Sequence, residues 1–189
     1  MKRIILASTS PRRKEIFSKL KIPFEVKKSN YKEDMTLEMS PFKLVESLSF
    51  NKAKTVTDNN KDAVVIAADT IVAYQNKVLG KPKTEKEAKE MLMMLSGKEN
   101  QIITGVTIIE NNHLVSFHET VRVYMEEMST EDIDKYIATG EPMDKAGAYA
   151  LQEIGSIFIK KIDGDFYTAM GLPLKRLVCE LKNFGINIL

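Results

Sequence analysis

The chain has 189 residues, 43% hydrophobic and 29% charged, which is long enough to bury a core and too apolar for a disordered chain. Its 28 basic and 26 acidic residues leave a net charge of +2, so any anion site must come from local placement, and no broad nucleic-acid footprint is expected. One cysteine, Cys179, and two histidines, His113 and His118, exclude an internal disulfide framework and a multi-cysteine zinc site.

The opening stretch MKRIILASTSPRRK turns basic after a short apolar run and makes a poor secretory signal. No apolar run approaches the ~18–20 residues that cross a bilayer. A cytoplasmic protein with no membrane partner is therefore expected. Arg3–Ala7 reads as a short strand, and Ser10 as the N-cap of a helix with Pro11 first and Ile16 and Leu20 on one face. Ser40-Pro41 opens a second helix to about Thr57. Ala63–Ala68 reads as a buried strand ending at Asp69, followed by Thr70–Tyr74, a turn at Gln75-Asn76-Lys77, and Val78-Leu79. Thr84 to Glu87 fits a capping box, with Ala88, Met91, Leu92 and Leu95 as the apolar stripe and Gly97 as the stop.

Gln101–Ile109 and Leu114–Tyr124 read as strands joined at Asn111-Asn112. A helix is expected from about Thr130 to Thr139, stopping at Gly140. Glu141–Tyr149 reads as a loop, Ile157–Ile162 as a strand and Asp163-Gly164 as a turn. Pro173 opens a last helix whose Leu174, Leu177, Val178 and Leu181 face the core, with Cys179 a small core residue on it. Hairpins and crossovers together predict an α/β fold with a mixed, twisted sheet flanked by helices.

Five constellations carry chemistry. Ser8-Thr9-Ser10-Pro11-Arg12-Arg13 places hydroxyls and two guanidiniums at a helix start, where unpaired N–H groups already favour an anion. An ordinary capped helix explains Ser10 and Pro11 but not that density of phosphate-binding groups. Lys52 falls on the apolar stripe of Val45, Leu48 and Val56, so its ammonium either snorkels to water or enters a cleft. Asp69, within a run of small and branched apolar residues, must be paired, metal-bound or otherwise compensated, as befits a general base or a metal ligand; a structural acid is the plain alternative. Gly80-Lys81-Pro82-Lys83 is a stiffened loop presenting Lys81. Glu33, paired with Asp69, would supply a second oxygen ligand to a hard cation such as Mg²⁺. Asp144 to Gln152 surrounds Gly147 with small residues, and Gln152 offers a donor and an acceptor to a base edge. Together these groups point to a polyphosphate bound with a divalent metal, without a Walker A loop.

The motifs Ser8-Thr9-Ser10-Pro11-Arg12-Arg13, Ala68-Asp69-Thr70, Leu79-Gly80-Lys81-Pro82, Leu95-Ser96-Gly97-Lys98 and Thr104-Gly105-Val106 resemble, in order and spacing, the Maf family of nucleoside triphosphate pyrophosphatases. The resemblance spans essentially residues 1–189 as one domain. It implies two lobes around a cleft, similar to inosine triphosphatase-like folds, and cleavage of a nucleoside triphosphate to the monophosphate and pyrophosphate. It also implies dependence on Mg²⁺ or Mn²⁺, a cytoplasmic location and compatibility with a homodimer. The segment Asp144 to Gln152 is similar to the branch acting on dTTP and UTP, with modified pyrimidine nucleotides as related substrates. By that resemblance Asp69 is the proton acceptor. Glu33, Lys52 and Lys81 surround the triphosphate and metal, and Arg12, Thr70 and Gln152 tune base choice.

On this reading Ser8, Ser10, Arg12 and Arg13 grip the triphosphate, Glu33 and Asp69 are the metal ligands, and Asp69 draws the proton from water. Two rivals stay open: a pyrophosphatase for 7-methyl-GTP or another modified purine nucleotide, and a non-hydrolysing nucleotide sensor acting in septum formation.

Overall fold

The computed structural model describes residues 2–32 and 38–188. Among these residues seven strands form one mixed sheet: β1 (Arg3–Leu6), β2 (Glu25–Val26), β3 (Ala63–Tyr74), β4 (Lys77–Leu79), β5 (Glu99–Glu110), β6 (His113–Met125) and β7 (Ile159–Asp163). Their order is β2-β1-β3-β5-β6-β7, with β4 hydrogen-bonded to β3. β2, β1 and the first part of β3 run parallel, and the rest pair antiparallel. Among the described residues six α-helices flank the sheet: α1 (Pro11–Ser18), α2 (Pro41–Thr57), α3 (Glu85–Leu95), α4 (Thr130–Ala138), α5 (Phe166–Ala169) and α6 (Leu174–Leu181). The fold class is the expected one.

Local chemistry explains where the long elements begin. The Ser10, Ser40 and Thr84 hydroxyls each accept the N–H three residues on, and Pro11 and Pro41 occupy the first helical position, where no N–H is needed. The α3 cap departs from the ideal box: Glu87 reaches back to the Lys83 N–H at 2.8 Å rather than to that of Thr84. α2 packs its Leu44, Val45, Leu48, Ala53 and Val56 on one face of β3, against Val65, Ala67, Ile71 and Ala73. On the other face, α1 and α6 cover Val64, Ile66 and Ala68, while α3 and α4 cover Val72. Alternation along β3 assigns each residue to its face.

Several sequence expectations need correction. β3 runs unbroken through Asp69, so Asp69 lies inside a strand rather than at its end. The short β2 lacks any apolar alternation, both residues being exposed, and is held by parallel pairing to Ile5 and Leu6 and by the Arg3 guanidinium on the Glu25 carboxylate. Ile157 belongs to a 3₁₀ turn, Ile154–Phe158, and β7 starts at Ile159. Two further 3₁₀ turns occupy the expected loop from Glu141 to Tyr149. The short α5 went unpredicted although Asp165 caps it, accepting the Thr168 N–H at 2.6 Å. Leu177 and Leu181 are buried on α6 as expected, but Cys179 is exposed, because the 100° step per residue carries it off their face.

Candidate active site

A gap in the sheet creates the site. β5 pairs with β3 along its length, setting Asp69 opposite Gly105. On the other edge, β1 ends at Leu6 opposite Ile66, and β4 ends at Leu79 opposite Val72. Among the described residues, no strand covers positions 67–71 on that edge. The chain leaving β1 turns away there, after Ala7 donates its N–H to the Ile66 carbonyl at 2.7 Å, and starts α1 beside the gap. Asp69 and Thr70 occupy this opening, and on both sheet faces they interrupt the apolar packing. Ala67 and Ile71 flank Asp69 on the α2 face, and Ala68 and Val72 flank Thr70 on the other.

Asp69 is only 6% exposed. Its Oδ2 is ion-paired with the Lys52 ammonium, and its Oδ1 accepts the Thr70 N–H at 2.7 Å. Burial of a carboxylate requires this compensation, and α2 delivers it from its stripe. The close approach of α2 depends on Gly105: a Cβ there would lie 2.4 Å from the Val45 carbonyl oxygen. Val45 stands two turns before Lys52 on the same stripe.

Thr70, on the opposite face, joins a different network. Arg13 donates from Nη2 to Thr70 Oγ1 at 2.9 Å and from Nε to the Gly171 carbonyl at 2.8 Å. The Thr104 hydroxyl donates to the Thr168 carbonyl at 2.8 Å and lies 3.0 Å from Thr70 Oγ1. With the Thr104 proton committed, Thr70 donates to Thr104 and accepts from Arg13. Arg13 thus fastens the start of α1 to β3 and to the loop before α6.

A cleft of about 940 Å³ gathers these groups. Ser8, Ser10, Arg12, Arg13, Lys52, Asp69, Thr70 and Lys81 all line it. The cationic turn and the strand aspartate, 57 positions apart from Arg12 to Asp69, therefore open onto the same space. Ser8 is buried and accepts the Ser10 N–H at 3.3 Å, which shapes the turn. Arg12 and Lys81 are exposed within the cleft. Gln152 is exposed and does not line it, whereas Glu153 does. Glu33 lies outside the described residues.

Sequence reasoning gave no role to Lys28, Ser29, Tyr31, Asp144, Lys145 or Glu153, which also line the cleft. The first three follow β2, whose lack of an apolar pattern hid where they lie. Asp144 and Lys145 precede the tight Gly147 turn, and a charged pair beside a turn was the available signal. Lys145, together with Lys81 and Arg12, holds the Asp144 carboxyl below the usual carboxylate range; the direct Lys145 contact is the largest cause. A second cavity, about 500 Å³ around Gly97, Lys98, Tyr124 and Lys160, contains none of the expected site residues.

No helix among the described residues is long and apolar enough to cross a membrane. Three full-length relatives named dTTP/UTP pyrophosphatase share half or nearly half of the residues. Two from Bacillus cereus strains are 50% identical over 188 residues, covering 100% of this chain and 93% and 98% of the relatives. One from Bacillus thuringiensis subsp. konkukian is 49% identical, covering 100% and 98%. The fold is similar to that of the Staphylococcus aureus Ham1 protein, at a TM-score of 0.52 and 16% identity over 95% of this chain and 100% of that one. The Maf-like protein family matches residues 3–184. With that match and relatives that align from end to end, the chain belongs to the Maf family.

Proposed function

We propose that this chain hydrolyses dTTP and UTP to the monophosphate and pyrophosphate. The observation that carries the reading is the convergence, in one cleft, of a buried lysine–aspartate pair with the Ser8–Arg12 turn and Lys81. Full-length relatives bearing that activity in their names support the choice of pyrimidine nucleotides.

Water attacks the α-phosphorus, forming the new P–O bond as the bond to the bridging oxygen breaks and pyrophosphate departs. Asp69 accepts the proton released by that water, and the adjacent Lys52 stabilises the carboxylate beforehand and neutralises phosphate charge as it develops. Arg12, Lys81 and the N–H groups at the start of α1 bind the phosphate oxygens, where guanidinium geometry suits two-point contact. Arg13 acts one step back, positioning that helix start and Thr70.

The donors facing the cleft suit Mg²⁺ or Mn²⁺, because they are carboxylate oxygens. Among the described residues no three acidic, histidine or cysteine side chains cluster tightly enough to hold an ion by themselves. Such a cation keeps several waters and leans on substrate phosphates. Asp69 would hold it, with Glu33 as the second ligand implied by the family resemblance; when bound, the ion would polarise phosphate oxygens and neutralise their charge.

A pyrophosphate-release assay over dTTP, UTP, GTP, 7-methyl-GTP and ITP, with Mg²⁺ or Mn²⁺ and with chelator, tests the reading. The expected result is the highest kcat/KM for dTTP and UTP and loss of turnover with chelator. Higher kcat/KM for a purine nucleotide would overturn the base assignment, and binding without turnover would make the chain a sensor. The same reading places the protein in the cytoplasm, and a homodimer is compatible with it.

A further inference from the structure

Lys145 has no part in the chemistry above, yet its surroundings are those of a built cation. Its side chain is 11% exposed, while its partners face solvent: Asp144, in direct contact, is 72% exposed, and Glu153, at 3.7 Å, is 54% exposed. The backbone carrying it is fixed. Gly147 adopts a left-handed conformation (φ +68°) against Val72, where a Cβ would come 3.0 Å from Cγ1. The Gly147 N–H donates to the Gly80 carbonyl at 3.0 Å, and the Ala148 N–H to the Lys145 carbonyl at 3.1 Å. Lys145 is thereby locked beside the loop that presents Lys81, with its neighbour Gly147 packed on Val72, two strand positions from Thr70.

We propose that Lys145 is a further phosphate-binding residue of this cleft, and that Asp144 is the resident counter-anion which the substrate's phosphates displace. The inference rests on reading the cleft as a polyphosphate site. Three cations, Arg12, Lys81 and Lys145, act on Asp144, and its low carboxyl pKa registers their combined field. A short, largely exposed carboxylate rotates into water at small cost, whereas the buried stem of Lys145 keeps its ammonium in place. A triphosphate, carrying several negative charges, outcompetes one carboxylate for such a cluster. Asp144 therefore screens the cluster when the site is empty and weakens phosphate binding by the amount needed to move it aside.

The test uses the full chain and inorganic tripolyphosphate as probe, with calorimetric binding measured beside inhibition of UTP turnover. Asp144→Asn is expected to tighten tripolyphosphate binding about threefold to tenfold, and Lys145→Gln to weaken it about tenfold or more. Lys145→Arg is expected to restore binding, which a purely structural role for the lysine would not require. Asp144→Asn that weakens binding in the presence of Mg²⁺ makes Asp144 a metal ligand and overturns the proposal, as does unchanged affinity in Lys145→Gln. Should Lys145→Gln fail to fold, Asp144→Asn and Lys145→Arg still decide the matter. Because calorimetry needs no turnover, a wild-type protein that binds tripolyphosphate but hydrolyses no nucleotide would sink the proposed function while leaving this inference standing.

Discussion

Asp69 and Gly105 face one another across the β3–β5 ladder, so the buried carboxylate and the one ladder position without a Cβ share a sheet face. The pairing lets α2 lie against β5 at Val45 and bring Lys52 to Asp69. Gly105→Ala would put its new methyl against the Val45 carbonyl, which is backbone and cannot rotate away. Overpacking of that kind costs about 1–3 kcal/mol, and a shift of the helix by a fraction of an ångström to 1 Å costs up to about 10²-fold in rate. The expected outcome is a lowered melting temperature with kcat reduced more than KM is raised. Wild-type kcat in a folded Gly105→Ala protein would dissociate the helix position from catalysis.

Asp69→Asn removes the proposed proton acceptor while keeping shape. Turnover should fall about 10²–10⁴-fold, with nucleotide binding largely kept when measured calorimetrically.

Lys52→Met leaves the Asp69 carboxylate buried without its ammonium partner, a change that costs about 3–5 kcal/mol when one member of a buried pair is lost. Adding Asp69→Asn to Lys52→Met should recover much of that stability in denaturant titrations but none of the activity. Equal destabilisation in the single and double variants would show that the pair is not coupled.

Arg13→Lys tests whether the strap is geometric. One ammonium cannot span the Gly171 carbonyl and Thr70 Oγ1 as the guanidinium fork does. The variant should lose about 1–3 kcal/mol by chemical denaturation and lower kcat/KM for every nucleotide by a similar factor. An effect confined to one base would instead make Arg13 a specificity residue.

Alkaline stability follows from two buried tyrosines. Burial raises the pKa of Tyr136 and Tyr149 well above the ordinary phenol value, and Glu141, which accepts from Tyr136 at 2.8 Å, raises that of Tyr136 further. The unfolded chain loses these protons near pH ~10, while the folded chain keeps them to higher pH. Above that value the unfolded state binds fewer protons, so stability falls as pH rises, by at most about 1.4 kcal/mol per pH unit for each tyrosine. Melting temperatures from pH 8 to 11 should be flat and then decline, and Tyr149→Phe should make the decline shallower.

The sequence by itself determined the helix starts and the class of chemistry. Ser10-Pro11, Ser40-Pro41 and Thr84 act through bonds three residues away, and Lys52 declared itself by interrupting the stripe of its own helix. These are local signals, read over one or two turns. Asp69 was legible as a polar residue that apolar neighbours could not tolerate unpaired, but its place inside β3 was not, because the gap beside it arises from where β1 and β4 each stop. Likewise only the folded molecule separated Arg13, bonded to Thr70 and Gly171, from Arg12 in the open cleft, though the two are adjacent in the chain. Lys145 became visible for the same reason: the left-handed Gly147 and its bond to Gly80 join two segments more than sixty residues apart. Short-range hydrogen bonding and periodicity are written into neighbouring residues, whereas the convergence of charges from separate segments exists only once the sheet has set its register.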